Sequence, residues 1–124
     1  MADGVGIDLG TTHCCLYVYK YGRSAQVVKN KAGDNTTPSW VRYENDGENV
    51  GKFAKKQSPE NPQNTVRNAK RLIGRNFQDT AVESERRLMP FKIINDSGTT
   101  AIQVEQVNAS GDLVWEKILC IRRM

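Results

Sequence analysis

The stretch GVGIDLGTTHCC, residues 4–15, decides how this chain begins to fold. It joins two runs of β-forming residues through Gly10-Thr11-Thr12, which has the length of a hairpin connection. A single carboxylate, Asp8, lies between Ile7 and Leu9 in the first run. A charge buried in such a strand is costly, and a nearby cation, alone or bound to a phosphate, would offset that cost. The stretch therefore raises the question of whether such a group binds beside Asp8.

The composition predicts one globular domain with a modest core. The 124 residues are 38% apolar and 26% charged, and no run approaches the roughly 18 apolar residues of a membrane helix. Asp3 and the lack of a basic-then-apolar leader favour a cytoplasmic protein. In a reducing compartment the three cysteines are expected to be free thiols. Zinc is not expected, because His13 is the only histidine and no Cys-x-x-Cys pair occurs.

The net charge of +4 is mild. Its basic residues cluster at 52–56, at 67–75 and at Arg86-Arg87, where they are either solvated helix faces or part of an anion site. The interpretation as a small nucleic-acid-binding protein is supported by this charge alone, since no zinc finger, helix-turn-helix spacing or aromatic ribonucleoprotein motif occurs. We therefore expect neither a nucleic-acid nor a membrane partner.

The N-terminal third predicts antiparallel strands. Residues 5–9, 13–19 and 25–30 are rich in β-formers and are separated by short turns, which indicates a three-stranded meander. Residues 31–38 have the composition of a loop, and the alternating stretch 39–45 predicts a further strand. The fold class predicted is mixed α/β, with the meander followed by a small α+β subdomain.

A central helix is predicted from hydrophobic spacing. Three apolar residues fall on one helix face: Val66, Ala69 and Ile73. Asn61-Pro62 or Asn64 offers an N-terminal cap, and Gly74 ends the helix. The helix would carry the basic residues of this region.

Shorter elements complete the prediction. Helices are predicted at 50–58 and 79–87, and strands at 91–95 and 100–107. For residues 113–124 the sequence leaves two alternatives: a strand followed by a helix, or an irregular terminus.

The first hairpin has the chemistry of a phosphate site. Consecutive backbone N–H groups at a tight tip form an anion-binding concavity, and threonine hydroxyls add donors. A carboxylate beside a polyphosphate is repelled unless a divalent cation lies between them, and Mg²⁺ takes such oxygen ligands. Asp-x-Gly-Thr-Thr therefore indicates a magnesium–polyphosphate site, although the same pattern occurs in ordinary turns. The Gly-x-x-x-x-Gly-Lys-Ser/Thr phosphate loop is absent.

Five ordered motifs carry a family resemblance. They are GIDLGTT, GDNTTPSWV, NPQNTV, AKRLIGRNF and PFKIIND. With them the chain resembles the seventy-kilodalton heat-shock chaperones, most closely their cytosolic eukaryotic branch, from about Val5 to about Val107. The resemblance implies a partial actin-like (ribonuclease H-like) ATPase lobe. Residues 1–107 would be the N-terminal part of the first lobe, and residues 108–124 a divergent tail.

The resemblance also implies roles for particular residues, with ATP and Mg²⁺ as cofactors. Asp8 would hold Mg²⁺ through water, and Lys70 would be the catalytic lysine that reaches the γ-phosphate and the attacking water. The phosphates would be held by Gly10, Thr11 and Thr12. Arg71 would lie near the same cleft as a further nucleotide-binding residue. Without the resemblance, Lys70 is an exposed helix lysine.

The family couples ATP hydrolysis to holding and releasing unfolded polypeptides, with co-chaperones as partners. The second phosphate loop and the other lobe of that family are not found in these residues, so weak MgATP binding without turnover is expected. The alternative is a non-catalytic copy that serves as a co-chaperone interaction module or has no function.

Departures from the family pattern are His13 in place of a tyrosine, Arg67 at an often apolar position, and RLMPF without its tryptophan. Because later strands complete the sheet in an actin-like lobe, we also expect one sheet edge and one sheet face of this chain to lack cover.

Overall fold

The first sheet is built around the predicted hairpin. The computed structural model describes residues 3–45, 47–107 and 109–119. Strand β1 (Gly4–Leu9) pairs antiparallel with β2 (His13–Tyr19) along its whole length, from Gly4 opposite Tyr19 to Leu9 opposite Cys14. The other edge of β2 pairs with β3 (Gln26–Val27) and with β4 (Thr37–Pro38). The predicted meander is confirmed, with a shorter third strand and with β4 added from the predicted loop.

Two further antiparallel sheets follow. One has the order β6-β5-β7 and contains β5 (Trp40–Glu44), β6 (Gly47–Val50) and β7 (Thr65–Arg67), with α1 (Lys52–Gln57) after β6. The other has the order β10-β9-β8 and contains β8 (Lys92–Asp96), β9 (Thr99–Val107) and β10 (Leu113–Leu119), preceded by α2 (Thr80–Leu88). The predicted mixed α/β class is confirmed. The rest of the open C-terminal region, residues 120–124, lies outside the described residues.

The predicted central helix is wrong. Val66 lies in β7 opposite Val41 of β5, and Ala69–Arg71 form only one 3₁₀ turn. Between them Asn68 adopts a left-handed backbone conformation with φ of 54°, which separates the strand from the 3₁₀ turn. Asparagine tolerates this conformation better than most residues, so pairing with β5 prevails over the helical spacing.

The hydrophobic core lies in the second half of the chain. Its buried side chains are Val66, Leu72, Val82, Phe91, Ile93, Ile102 and Val104. None of the described residues before position 39 is fully buried. Residues 39–107 thus enclose a core, whereas the β1–β2 sheet lies outside it.

Asn64 is a buried clip and not the predicted helix cap. It is 6% exposed, and its side-chain amide bonds the backbone of Glu105 through both of its polar atoms. Its Nδ2 donates to the Glu105 carbonyl at 2.6 Å, and its Oδ1 accepts from the Glu105 N–H at 3.0 Å. A side chain here imitates a strand partner, because it satisfies both polar groups of one residue in β9.

Arg67, a departure from the family pattern, is accommodated by an aromatic ring. Its guanidinium lies 5.0 Å from the ring centroid of Trp40, and the residue is half-buried. A cation over the face of an indole is attracted by the ring's negative face. The charge of Arg67 therefore has an aromatic partner in the structure.

Strand β1 has a free edge and an exposed apolar face. Within the described residues it pairs with β2 alone. Its alternate residues Val5, Ile7 and Leu9 are 69%, 70% and 57% exposed. The predicted lack of cover is confirmed for this strand. A strand with an unpaired edge and apolar side chains is a template for pairing with another chain.

Replacing Asn64 with Ala is expected to lower the free energy of unfolding by about 1–3 kcal/mol, because the Glu105 backbone groups lose their partners. Urea unfolding measures this loss. Asn45→Ala, at an exposed position beside β5, is the control and should unfold like the wild type. Equal stability of both variants would contradict the clip.

Replacing Ile7 with Lys is expected to reduce self-association of the 124-residue chain, because a charge on the apolar face of β1 opposes edge pairing. Sedimentation velocity over a concentration series measures it. Leu88→Lys is the control, since Leu88 is 67% exposed at the end of α2. A wild type that stays monomeric at every concentration would refute the prediction.

Candidate functional site

The tip of the first hairpin requires glycine at its first position. A Cβ added to Gly10 would lie 2.1 Å from the carbonyl oxygen of His13, far inside van der Waals contact. The backbone therefore closes on itself more tightly than any side chain allows. Within the tip, Thr11 is half-buried and Thr12 is exposed. The tip is a tight turn that presents backbone and threonine groups.

Asp8 is exposed, contrary to the buried carboxylate that the strand pattern suggested. Its neighbours Ile7 and Leu9 are exposed too, because nothing in the described residues covers β1. Asp8 lies opposite Cys15, on the same sheet as Tyr17. The pKa of Tyr17 is raised above its usual 10.0, first by its hydrogen bond with Cys15 and to a lesser degree by the negative charge of Asp8. Because Asp8 lies open to solvent, its charge needs no buried counter-charge.

Lys70 reaches the hairpin from 61 residues away. It lies on the 3₁₀ turn Ala69–Arg71, and its ammonium donates a hydrogen bond to the carbonyl of Leu9, directly before Gly10. Ala69 packs against the core and Leu72 lies within it, which fixes the turn on both sides of Lys70. The structure therefore brings Lys70 to the base of the tip, beside the residue that follows Asp8.

Arg71 forms an ion pair with a residue of α2. Its guanidinium lies 3.1 Å from Oε1 of Glu85 on α2, and Glu85 is 6% exposed. Successive side chains of a 3₁₀ turn lie about 120° apart, so neighbouring residues face different partners. The structure brings together Asp8, Lys70 and the tip, but not Arg71.

Ser39 is a contact of the tip that the sequence analysis missed. Its hydroxyl donates to the Gly10 carbonyl at 2.8 Å, and its N–H donates to the Thr12 carbonyl at 2.9 Å. The Cys14 thiol lies 3.2 Å from the same hydroxyl. The sequence signal for this contact was the motif GDNTTPSWV, a polar segment that the sequence analysis used only for the family resemblance.

The sequence of the chain is similar to those of known proteins. The sequence model of the Hsp70 protein family matches residues 4–119. The heat shock 70 kDa protein of Neurospora crassa is 47% identical over 105 residues, which are 85% of this chain and 16% of that protein. The heat shock 70 kDa protein BIP3 of Oryza sativa subsp. japonica is 44% identical over 102 residues, or 82% of this chain and 15% of that protein.

A third relative is a ribosome-associated molecular chaperone of Eremothecium gossypii. It is 44% identical over 110 residues, which are 85% of this chain and 18% of that protein. The chain belongs to the Hsp70 family and corresponds to the N-terminal part of its actin-like ATPase domain. It spans only a small share of the length of these relatives.

The C-terminal part of the family match includes strand β10. The family match continues to residue 119, and β10 pairs with β9 from Leu113 opposite Val107 to Leu119 opposite Ala101. The division into residues 1–107 and a divergent tail 108–124 stays a prediction. Among the described residues, no helix combines the length and hydropathy that crossing a membrane requires.

Replacing Gly10 with Ala is expected to displace the tip and cost about 1–3 kcal/mol, because the new methyl group collides with the His13 backbone. Amide chemical shifts of the tip and thermal unfolding measure the two effects. Gly6→Ala is the matched control in the same hairpin, since its Cβ would meet Tyr17 Cβ at 4.0 Å, an ordinary contact. Unchanged tip shifts in Gly10→Ala would contradict the tight turn.

Proposed function

We propose that the tip of the β1–β2 hairpin binds the phosphates of magnesium-bound ATP or ADP. The observation that supports this most strongly is the contact between the Lys70 ammonium and the Leu9 carbonyl. It provides a positive charge beside a turn that carries backbone N–H groups and two threonine hydroxyls. In this proposal Gly10, Thr11 and Thr12 hold the phosphates, and Lys70 lies toward the γ-phosphate and the attacking water.

Magnesium fits the donor set at this site. Asp8 offers one exposed carboxylate, and no group of three or more metal-ligating side chains gathers among the described residues. Mg²⁺ in nucleotide sites is bound in this way, through one or two carboxylates, phosphate oxygens and retained waters. Asp8 would hold the ion through water. When bound, Mg²⁺ would neutralise phosphate charge and remove the repulsion between phosphate and Asp8.

Arg71 has a lesser place in the proposal. Its ion pair with Glu85 leaves the side chain 57% exposed, so it can approach a nucleotide only by leaving that partner. We assign it to the margin of the nucleotide cleft and expect a smaller effect from its removal than from that of Lys70.

The wider role follows the family. Relatives are named as a heat shock 70 kDa protein and a ribosome-associated molecular chaperone. The family resemblance implies ATP hydrolysis coupled to the handling of unfolded polypeptides, with co-chaperones as partners. We propose that this chain takes part in such a cytoplasmic chaperone as its phosphate-binding segment. Hydrolysis requires an enclosed and oriented nucleophile. We therefore propose weak nucleotide binding, and not turnover, for the 124 residues alone.

Isothermal titration with ATP, with and without Mg²⁺, tests the proposal. Lys70→Ala is expected to weaken MgATP binding about ten-fold or more, since a charged hydrogen bond contributes about 1.5–3 kcal/mol. Asp8→Asn is expected to weaken binding in Mg²⁺ and to strengthen it in a chelator. The sign reverses because the carboxylate attracts the ion but repels the bare phosphates.

The controls are Lys56→Ala and Glu48→Gln, exposed residues of α1 and β6. Both should bind like the wild type in either buffer. The proposal would be refuted if titration of the wild type with MgATP released no heat of binding. It would also be refuted if Asp8→Asn changed the affinity for ATP equally with Mg²⁺ and with a chelator.

A further inference from the structure

The segment between β3 and β5 is organised by one asparagine. The side chain of Asn30 donates from Nδ2 to the Thr36 carbonyl and to Thr37 Oγ1, both at 3.1 Å. Its Oδ1 accepts from the N–H groups of Ala32 at 2.9 Å and Asp34 at 3.0 Å. The residues of this loop thus share one anchor, and the chain leaves the loop in a defined direction.

Strand β4 then carries the chain to the hairpin tip. Thr37 and Pro38 pair with Cys14 and His13 of β2, so the next residue, Ser39, arrives behind the turn. There it makes the two bonds described above, to the carbonyls of Gly10 and Thr12. Because the Ser39 proton is given to Gly10, the Cys14 thiol must be the donor to the Ser39 oxygen. The hydroxyl is therefore held from both sides.

These bonds fix the orientation of two peptide groups. In a trans peptide the C=O and the following N–H point in opposite directions, and no cis bond occurs in the described residues. With the Gly10 carbonyl facing Ser39, the N–H of Thr11 points to the other side of the turn. With the Thr12 carbonyl facing the Ser39 N–H, the N–H of His13 also points to the side of the turn away from Ser39. Ser39 thus aims two donors away from the loop.

We propose that Ser39 is a positioning residue for phosphate binding at the tip. It touches no phosphate itself but holds the Thr11 and His13 N–H groups in the direction that an anion requires. The inference rests on the proposed function for its ligand and on the Ser39 contacts for its geometry. Preorganised donors bind an anion more tightly than donors that must first reorient, so loss of Ser39 lowers affinity more than stability.

The experiment compares Ser39→Ala with the wild type in two measurements. Amide chemical shifts of Thr11 and His13 are recorded without ligand, and MgATP affinity is measured by titration. Ser39→Ala is expected to shift both amides and to weaken MgATP binding about three- to ten-fold, the equivalent of one lost neutral hydrogen bond. Ser39→Thr keeps the hydroxyl and should restore both.

The matched control is Ser84→Ala. Ser84 also donates its hydroxyl to a backbone carbonyl, that of Thr80 at 3.1 Å, but within α2. It should leave the tip amides and the affinity unchanged. If Ser39→Ala loses the amide signals of the core strand β8, the variant is unfolded. Cys14→Ala then decides, since it removes only the donor to Ser39 and should shift the same two amides.

The outcomes separate the two proposals. Wild-type affinity in a folded Ser39→Ala variant overturns the positioning role and leaves the proposed function standing. A wild type that binds no MgATP overturns the proposed function, and the tip amides then decide the geometry alone. Unshifted Thr11 and His13 amides overturn the positioning role as well.

Discussion

The tip of the first hairpin depends on contacts from the rest of the chain, because no described residue of its own sheet is buried. Lys70 bonds the Leu9 carbonyl, and Ser39 bonds the carbonyls of Gly10 and Thr12. The main cluster of buried apolar side chains begins at Val66 and lies in the second half of the chain. The geometry of the candidate site is thus set by contacts between the hairpin tip, which lies in a poorly packed sheet, and residues that the well-packed part of the chain positions.

This division has an energetic meaning. Hydrophobic burial stabilises residues 39–107, whereas the β1–β2 sheet relies on backbone pairing and on polar contacts at its end. Its apolar residues Val5, Ile7 and Leu9 remain exposed in the described structure. A run of apolar residues indicates which residues can be buried and not what covers them. The same exposure explains why Asp8 needs no compensating charge.

Much of the local structure could be predicted from the sequence. The hairpin, the strands of the third sheet and helix α2 have strong period or turn signals, and each lies near its predicted position. The central helix failed because Val66, Ala69 and Ile73 satisfy helical spacing by chance. Hydrophobic spacing does not reveal that β7 pairs with β5, because that pairing is non-local. Nor does it reveal the left-handed backbone conformation of Asn68. The role of Asn64 was missed for the same reason, since its partner Glu105 lies 41 residues away.

The sequence by itself determined the family, the tight glycine turn, and the residue types of a phosphate site, because these are properties of short ordered motifs. Only the tertiary structure decided which of the candidate residues meet. It brought Lys70 to the hairpin and turned the adjacent Arg71 to Glu85, and it placed Ser39, which follows β4, within hydrogen-bond distance of the tip. The physical reason is that side-chain direction on a short turn, and the approach of a strand to a distant tip, are fixed by packing and pairing across the whole chain.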